Sequence, residues 1–266
     1  MPGFNTLSVS QLARLVGTPD CPVLIDVRTD ADFDAEPRLV PGSVRHRFDL
    51  VEELAPGLAG KRAVLLCQRG LKLSEGAAAL LRSHGVSAET LDGGTLAWAS
   101  AAQPMIPAAA LPASRLWVTR HRPKIDRIAC PWLIRRFVDP GARFLFVAPA
   151  EVLAVAETFG AVPFDVEGVT FSHRGERCTF DALLDDFHLH TEALDRLALV
   201  VRGADTDRHD IAPQSAGLLA VSVGLSRQYR DDLDQLESGM ALYDALYRWA
   251  RDGFDEGHDW PADRRA

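Results

Sequence analysis

Apolar residues in the first part of the chain fall into short continuous runs separated by stretches of helical period. Pro22-Val23-Leu24-Ile25-Asp26-Val27-Arg28 and Val64-Leu65-Leu66 are bounded by charged or turn residues, as strands buried on both faces are, and a third short strand is expected near Val86 to Leu91. Between them, Ser8 to Val16 reads as a helix with Leu12 and Leu15 inward, and Leu50 to Leu54 as a second. A longer helix is expected from Ser74 to Ser83, with Ser74 as its N-cap, Glu75 in the first turn and Ala77, Ala78, Leu80 and Leu81 as its apolar stripe. Asp30, Asp32 and Asp34 lie in a polar stretch without the glycine and terminal glutamate of a calcium loop, so it reads as a solvated loop. Pro41-Gly42-Ser43-Val44 marks a turn into another strand, and Asp92-Gly93-Gly94 a turn before Leu96-Ala97-Trp98. Strands alternating with helices at this spacing predict an α/β domain: a parallel sheet flanked by helices.

The pattern breaks at Ala101 to Ser114, where Pro104, Pro107 and Pro112 stand among alanines in the composition of an exposed, semi-stiff connector. Beyond it, Leu116 to Thr119 and Arg143 to Val147 read as strands, with Pro163-Phe164-Asp165 and Val169-Thr170-Phe171 as short strands that could pair. Asp126 is expected to cap a helix carrying Ile128, Ala129, Trp132, Leu133 and Phe137 on one face, and Glu151 to Phe159 a further helix. From Thr191 the chain reads as helical. Leu194, Leu197 and Val201 share one face, Ala216 to Val223 form a small-residue helix, and Leu233, Leu236, Met240, Tyr243, Tyr247 and Ala250 give a long stripe suited to a core or a homodimer interface. The second domain is therefore expected to be mixed α/β and rich in helices. The boundaries read as 1–104 for the first domain, 105–114 for the linker, 115–252 for the second domain and 253–266 for a frayed tail.

A length of 266 residues, with 47% hydrophobic and 25% charged residues, accommodates two ordinary domains. The net charge of −8 argues against nucleic acid as a partner, so an anion site has to be built from locally clustered cations. Cys21, Cys67, Cys130 and Cys178 form no C-x-x-C pair, as in proteins of a reducing compartment. No secretory pattern opens the chain and no apolar run approaches membrane-spanning length, so a cytoplasmic protein without a membrane partner is expected.

Three groupings carry candidate chemistry. Cys67 follows a buried strand and precedes a helix, and the helix N-terminus together with Arg69 and Lys72 would favour negative charge there, which suits a reactive thiol and a small oxyanion. Arg120, Arg122 and Lys124 form a cationic loop, with Arg127, Arg135 and Arg136 on the helix after it: a solvated basic face, or an oxyanion or phosphate site. The third grouping is Ser172 to Asp181 together with Gly203 to Asp210. One metal could draw on both segments through His173, Cys178, Asp181 and Asp205, a set suited to zinc or iron, open at one position if catalytic. Structural hydrogen bonding of His173 and Asp205, and a core position for Cys178, are the alternative. Glu176, Asp207, His209 and Asp210 read as surface turn residues. His188 and His190, two apart, are poor partners for one metal.

Ile25-Asp26-Val27-Arg28, Pro41-Gly42-Ser43, Cys67-x-x-Gly70-x-Lys72 and Asp92-Gly93-Gly94-x-x-x-Trp98, in that order, resemble a rhodanese domain. The resemblance implies a sulfurtransferase that carries sulfane sulfur as a persulfide on Cys67. It implies a substrate site at Arg69, Gly70 and Lys72 with Asp26 and Arg28, an anionic donor such as thiosulfate, a thiol or cyanide-like acceptor, and no cofactor for the transfer. Where the family has a serine directly after the basic residue this chain has Leu73, with Ser74 next. In the second half, Trp117-x-Thr119-Arg120-x-Arg122-Pro123-x-x-Asp126-Arg127-x-Ala129-Cys130-Pro131-Trp132-Leu133, Phe171-x-His173-x-Gly175-x-x-Cys178-Thr179-Phe180 and Gly203-Ala204-Asp205-Thr206-Asp207 resemble the C-terminal domain of ChrB-type chromate-resistance proteins. That likeness implies a tie to chromate, and an oxyanion site at Arg120, Arg122 and Arg127. A chromate- or redox-responsive regulator with a non-catalytic first domain is the alternative reading, and a metal-dependent reaction at His173 and Asp205 a third.

Overall fold

The structure is a computed structural model that describes residues 5–257. The first half runs β1 (Thr6–Leu7), α1 (Val9–Leu15), β2 (Val23–Asp26), α2 (Asp30–Ala35), β3 (Arg38–Leu39), β4 (Ser43–Arg45), β5 (Arg62–Leu66), α3 (Lys72–Ser83), β6 (Ser87–Leu91), α4 (Gly94–Ser100) and β7 (Ile106–Pro107). Five strands form a parallel sheet in the order β1-β6-β5-β2-β4, with Ile25 opposite Leu65 and Asp26 opposite Leu66. The sheet therefore delivers Cys67 from the C-terminal end of its central strand, where open α/β sheets hold their ligands. Strand alternation sorts β5: Val64 and Leu66 enter the main core, while Ala63, Leu65 and then Cys67 face the smaller cluster that includes Ala77, Ala78 and Leu81 of α3.

Several expected elements differ in detail. The aspartates at 30, 32 and 34 lie in or within α2, which Thr29 caps through a hydrogen bond from the Asp32 amide; acids in a first turn favour a helix. The helix expected at Leu50 to Leu54 is part of a 3₁₀ stretch, Phe48–Leu58, that contains Pro56, which cannot donate to an α-helical ladder. Helix α3 starts at Lys72, with Leu71 in the capping position, so Ser74 lies inside the first turn and is not the cap.

The second half runs β8 (Leu116–Arg120), α5 (Asp126–Leu133), β9 (Arg143–Val147), α6 (Val152–Phe159), β10 (Val162–Pro163), α7 (Thr179–Asp186), α8 (Glu192–Asp205), α9 (Ser215–Gln228) and α10 (Asp232–Asp252). A parallel sheet in the order β10-β8-β9 packs with this helical assembly. Phe171 makes only an isolated bridge to Phe164, so the segment at 169–171 is not a strand. The long stripe is core: Leu236, Met240, Tyr243, Tyr247 and Ala250 of α10 are buried, and Trp132 lies 5.6 Å from Tyr247, 6.2 Å from Tyr243 and 5.7 Å from Phe137, centroid to centroid. Leu233 is the exception, 48% exposed.

The segment expected to be an exposed connector is built into the fold. Met105 and Ile106 are buried, and β7 pairs antiparallel with β3, Ile106 opposite Leu39. Burial of apolar side chains at about 1.5–3 kcal/mol each overrides a proline-rich composition. The two domains share one core, in which Leu12, Leu66, Trp98 and Ile106 join Trp117, Phe137 and Tyr247. At the seam the Phe137 ring lies where a Cβ on Gly17 would stand, 2.1 Å from the ring edge. In the expected tail, Phe254 packs beneath the Arg196 guanidinium at 3.9 Å and beside Trp249; residues 258–266 lie outside the described residues.

Candidate functional site

Two groups of side chains have the geometry of functional sites. The first is the loop from Cys67 to Leu71, between β5 and α3. Its path is set by glycines. Gly70 has φ +70°, and a Cβ there would stand 2.4 Å from the Leu91 carbonyl oxygen; one on Gly94, at φ +62°, would stand 2.2 Å from that of Cys67. The Asp92-Gly93-Gly94 turn is thus a bed on which the loop rests, and the Thr95 and Leu96 amides donate to the Cys67 and Gln68 carbonyls at 3.0 and 3.1 Å. With the carbonyls held from below, the amides of Gln68 to Ser74 make no hydrogen bonds among the described residues and are available to an anion on Cys67.

Cys67 Sγ is 4% exposed as a residue and lies 3.1 Å from the Ser74 hydroxyl, which also donates to the Leu71 carbonyl at 3.1 Å. The serine displaced by one position therefore still reaches the sulfur, because the first helical turn brings Ser74 back over the loop. A neutral thiol can donate to that hydroxyl while the hydroxyl donates to Leu71; a thiolate can accept from it only when its one proton turns from the Leu71 carbonyl to the sulfur. Arg69 and Lys72 are exposed at the mouth and form no salt bridge among the described residues.

Asp26 and Arg28 are not at the mouth. They form a buried bidentate pair whose closest approach is 2.5 Å, and Arg28 also donates to the Glu36 and Arg38 carbonyls at 2.9 and 2.7 Å. With both side chains enclosed, the pair braces the return of the chain through α2 and β3; it has no solvent-facing side for a substrate.

The second group lies in the other domain. His173 Nε2 stands 3.5 Å from an oxygen of Asp126, 3.4 Å from one of Asp165 and 3.2 Å from one of Asp205. One N–H serves three acceptors, each beyond the roughly 2.9–3.0 Å mode of a directed bond, so the imidazole is centred among the carboxylates. Each acid arrives from a different element. Asp126 opens α5 yet caps another helix: its oxygens accept from the Thr179 amide at 2.6 Å and the Phe180 amide at 3.3 Å, at the start of α7. Asp165, at φ +52° after β10, accepts from the Thr179 hydroxyl at 3.1 Å and from Arg120 at 2.8 Å, with Arg127 at 3.3 Å. Asp205 is the last residue of α8. Burial pushes the Asp126 carboxyl up to about 7 against the pull of His173, and contact with Asp126, then Asp165 and Asp205, pushes the imidazole up to about 12. Asp165 sits below its ordinary range despite burial, because His173 and Arg120 bond its ionised form.

This geometry revises the expected sets. His173 and Asp205 converge, but Cys178 and Asp181 do not join them. Asp181 receives the Arg202 guanidinium at 2.6 and 2.8 Å and the Cys178 amide at 3.0 Å, and Cys178, fully buried, directs its thiol to Asp181 at 3.4 Å. Burial pushes that thiol well above its ordinary value, away from a metal-binding thiolate. Asp126 and Asp165 take their places, and neither position was readable as such: one resembles a helix cap and the other a strand end. The arginine triad also separates. Arg120 and Arg127 are neutralised by Asp165, Arg122 is exposed without an ion pair among the described residues, and Arg135 and Arg136 pair with Glu237 and Asp244 of α10. No three-arginine oxyanion site is assembled.

Comparison with known proteins accounts for both halves. Residues 8–101 match the rhodanese-like domain, and residues 117–250 match the family described as ChrB, C-terminal domain. Protein ChrB of Cupriavidus metallidurans is 36% identical over 134 residues, which are 50% of this chain and 40% of that protein, so less than half of the relative's length is matched. Similar solved structures include a protein of unknown function from Rhodopseudomonas palustris, described as a possible tyrosine phosphatase, with 25% identity, coverage of 38% of this chain and 83% of that chain, and a TM-score of 0.35. A thiosulfate sulfurtransferase from Pseudomonas aeruginosa shares 28% identity over 39% of this chain and 19% of that chain, at a TM-score of 0.33. A rhodanese-related protein from Thermoplasma volcanium shares 17% over 39% and 98%, at 0.34. None of the helices among the described residues is long and apolar enough to cross a membrane. By the domain that occupies half of its length, the chain belongs to the ChrB family, with a rhodanese-like domain in front of it.

Proposed function

We propose that the protein is a sulfurtransferase in which Cys67 carries a sulfane sulfur as a persulfide, fused to a ChrB domain that ties this chemistry to chromate resistance. The observation that supports it is the loop itself: a cysteine at the end of the central strand, ringed by unbonded amides from Gln68 to Ser74 and backed by the N-terminus of a 12-residue helix. With thiosulfate as donor, the Cys67 thiolate attacks the outer sulfur and forms a new S–S bond. The bond between that sulfur and the sulfonate sulfur breaks, and sulfite leaves with its electron pair, so the negative charge ends on the terminal sulfur of the persulfide. The unbonded amides of the loop are the donors available to this charge. A nucleophilic acceptor, cyanide or a thiolate, then takes the terminal sulfur and returns Cys67 as thiolate. Arg69 and Lys72 attract the dianionic donor, Gly70 and Gly94 keep the loop in register, and Asp26–Arg28 holds the neighbouring strand end.

Incubation with thiosulfate followed by intact-protein mass spectrometry tests the proposal. The wild-type chain is expected to gain one sulfur atom that cyanide removes as thiocyanate, and Cys67→Ser to gain none. A wild-type protein that acquires no sulfur from thiosulfate or from a polysulfide would overturn it.

A further inference from the structure

We propose that Asp126, His173 and Asp205 form the protein half of a divalent transition-metal site, with Asp165 beside it to hold a metal-bound water. One ligand atom from each of the three lies within 4.8 Å of the others, close enough to share one ion. The set is mixed, two carboxylates and one imidazole, which suits Mn(II), Fe(II) or Zn(II) and is poorer for Mg(II) or Ca(II), whose ligands are oxygen. Three protein ligands leave positions for water, the arrangement of reactive rather than structural metal sites.

Two further features point to a cation at this place. Asp205 ends a 14-residue helix, at the negative pole of its dipole, where a carboxylate is disfavoured unless a cation stands in front of it. Its carboxylate meets no partner among the described residues apart from His173. Meanwhile the oxygens of Asp126 and Asp165 are aimed by groups around the site: the Thr179 and Phe180 amides fix Asp126, and Arg120, Arg127 and the Thr179 hydroxyl fix Asp165. Donors that orient ligands from behind are the usual surroundings of a metal centre. Access is open, since the His173 side chain is 40% exposed and that of Asp205 18%. The rival account makes protonated His173, together with Arg120 and Arg127 on Asp165, the cations of a closed ion-pair cluster, and it predicts no metal uptake.

The test uses the full chain, stripped with EDTA and titrated with Mn(II), read by calorimetry, metal analysis and water-proton relaxation. The wild type is expected to bind close to one Mn(II) per chain and to enhance relaxation through the open positions. His173→Ala and Asp205→Asn, both at solvent-reached positions, are each expected to weaken binding at least about tenfold while keeping the wild-type circular dichroism spectrum. Cys67→Ser, in the other domain, is expected to bind as the wild type. Absence of stoichiometric uptake by the wild type, or folded His173→Ala and Asp205→Asn proteins that bind Mn(II) with unchanged affinity, would overturn the proposal. Should one variant not fold, the other decides. Loss of sulfur transfer on Cys67 leaves this site untouched, so the two proposals fail separately.

Discussion

Replacing Gly94 by alanine strikes the Cys67 loop from below without touching the cysteine. The new Cβ would stand 2.2 Å from the Cys67 carbonyl oxygen, 2.5 Å from the Gly70 nitrogen and 2.8 Å from the Arg69 nitrogen, all backbone atoms that no rotamer change can move aside. Three contributions follow. A non-glycine residue at φ +62° costs about 1–2 kcal/mol. Retreat of the loop stretches the hydrogen bonds from Thr95 to Cys67 and from Leu96 to Gln68, at about 0.5–1.5 kcal/mol each. Together the loss of stability is roughly 2–5 kcal/mol. The loop must also retreat by roughly 1 Å, and a misplacement of that size lowers a positioned reaction by up to about a hundredfold. Gly85→Ala is the matched control: φ is +79° there, but nothing lies within 4 Å of its added Cβ, so only the conformational penalty applies. Urea denaturation gives the stabilities. The rates of iodoacetamide alkylation and of sulfur uptake at Cys67 report the loop. If Gly94→Ala matches Gly85→Ala in both stability and Cys67 reactivity, the loop does not rest on this turn.

Asp26→Asn leaves Arg28 buried without its counter-charge and is expected to destabilise by about 3–5 kcal/mol in denaturant, with partial recovery in Asp26→Asn/Arg28→Met; equal stability of single and double variants would contradict the bracing role. Ser74→Ala is expected to cost only about 1 kcal/mol and to slow alkylation of Cys67 at neutral pH, because the thiolate loses a donor 3.1 Å away; an unchanged rate would show that the hydroxyl does not serve the sulfur. Since the domains share a core, calorimetry is expected to show one unfolding transition, and Phe137→Ala to lower it by about 3–5 kcal/mol as a whole; two separate transitions would refute the shared core. Asp195 and then Asp185 raise His190 above its ordinary 6.5, so its contribution is fully present below that pH and fades as the pH climbs through the raised folded value; His190→Gln should flatten the stability profile in that window.

Much of the first domain was legible along the chain, because its signals are local. Buried parallel strands read as apolar runs, and the loop from Cys67 to Lys72 is contiguous, so its thiol, glycine and cations announce themselves together. What lay hidden was the partner of each group. That Arg28 would be enclosed depends on the chain returning through β3, and that Ser74 would reach the sulfur depends on where the first helical turn begins. In the second domain the cluster proposed as a metal site was half visible. His173 and Asp205 stand in conspicuous polar clusters, whereas Asp126 and Asp165 are single acids beside apolar runs, indistinguishable from a cap and a strand end.

Sequence by itself determined the periodicities, the two-domain order and the thiol loop, since these rest on neighbours a few residues apart. Only the tertiary structure decided the rest. Asp126 meets the start of α7 across 53 residues, Asp165 neutralises the arginines that looked like an anion site, and the proline-rich connector buries Met105 and Ile106 in the shared core. The reason is physical: whether a charge is free, paired or aimed at a common point depends on which distant groups desolvate and face it, and no local pattern records that.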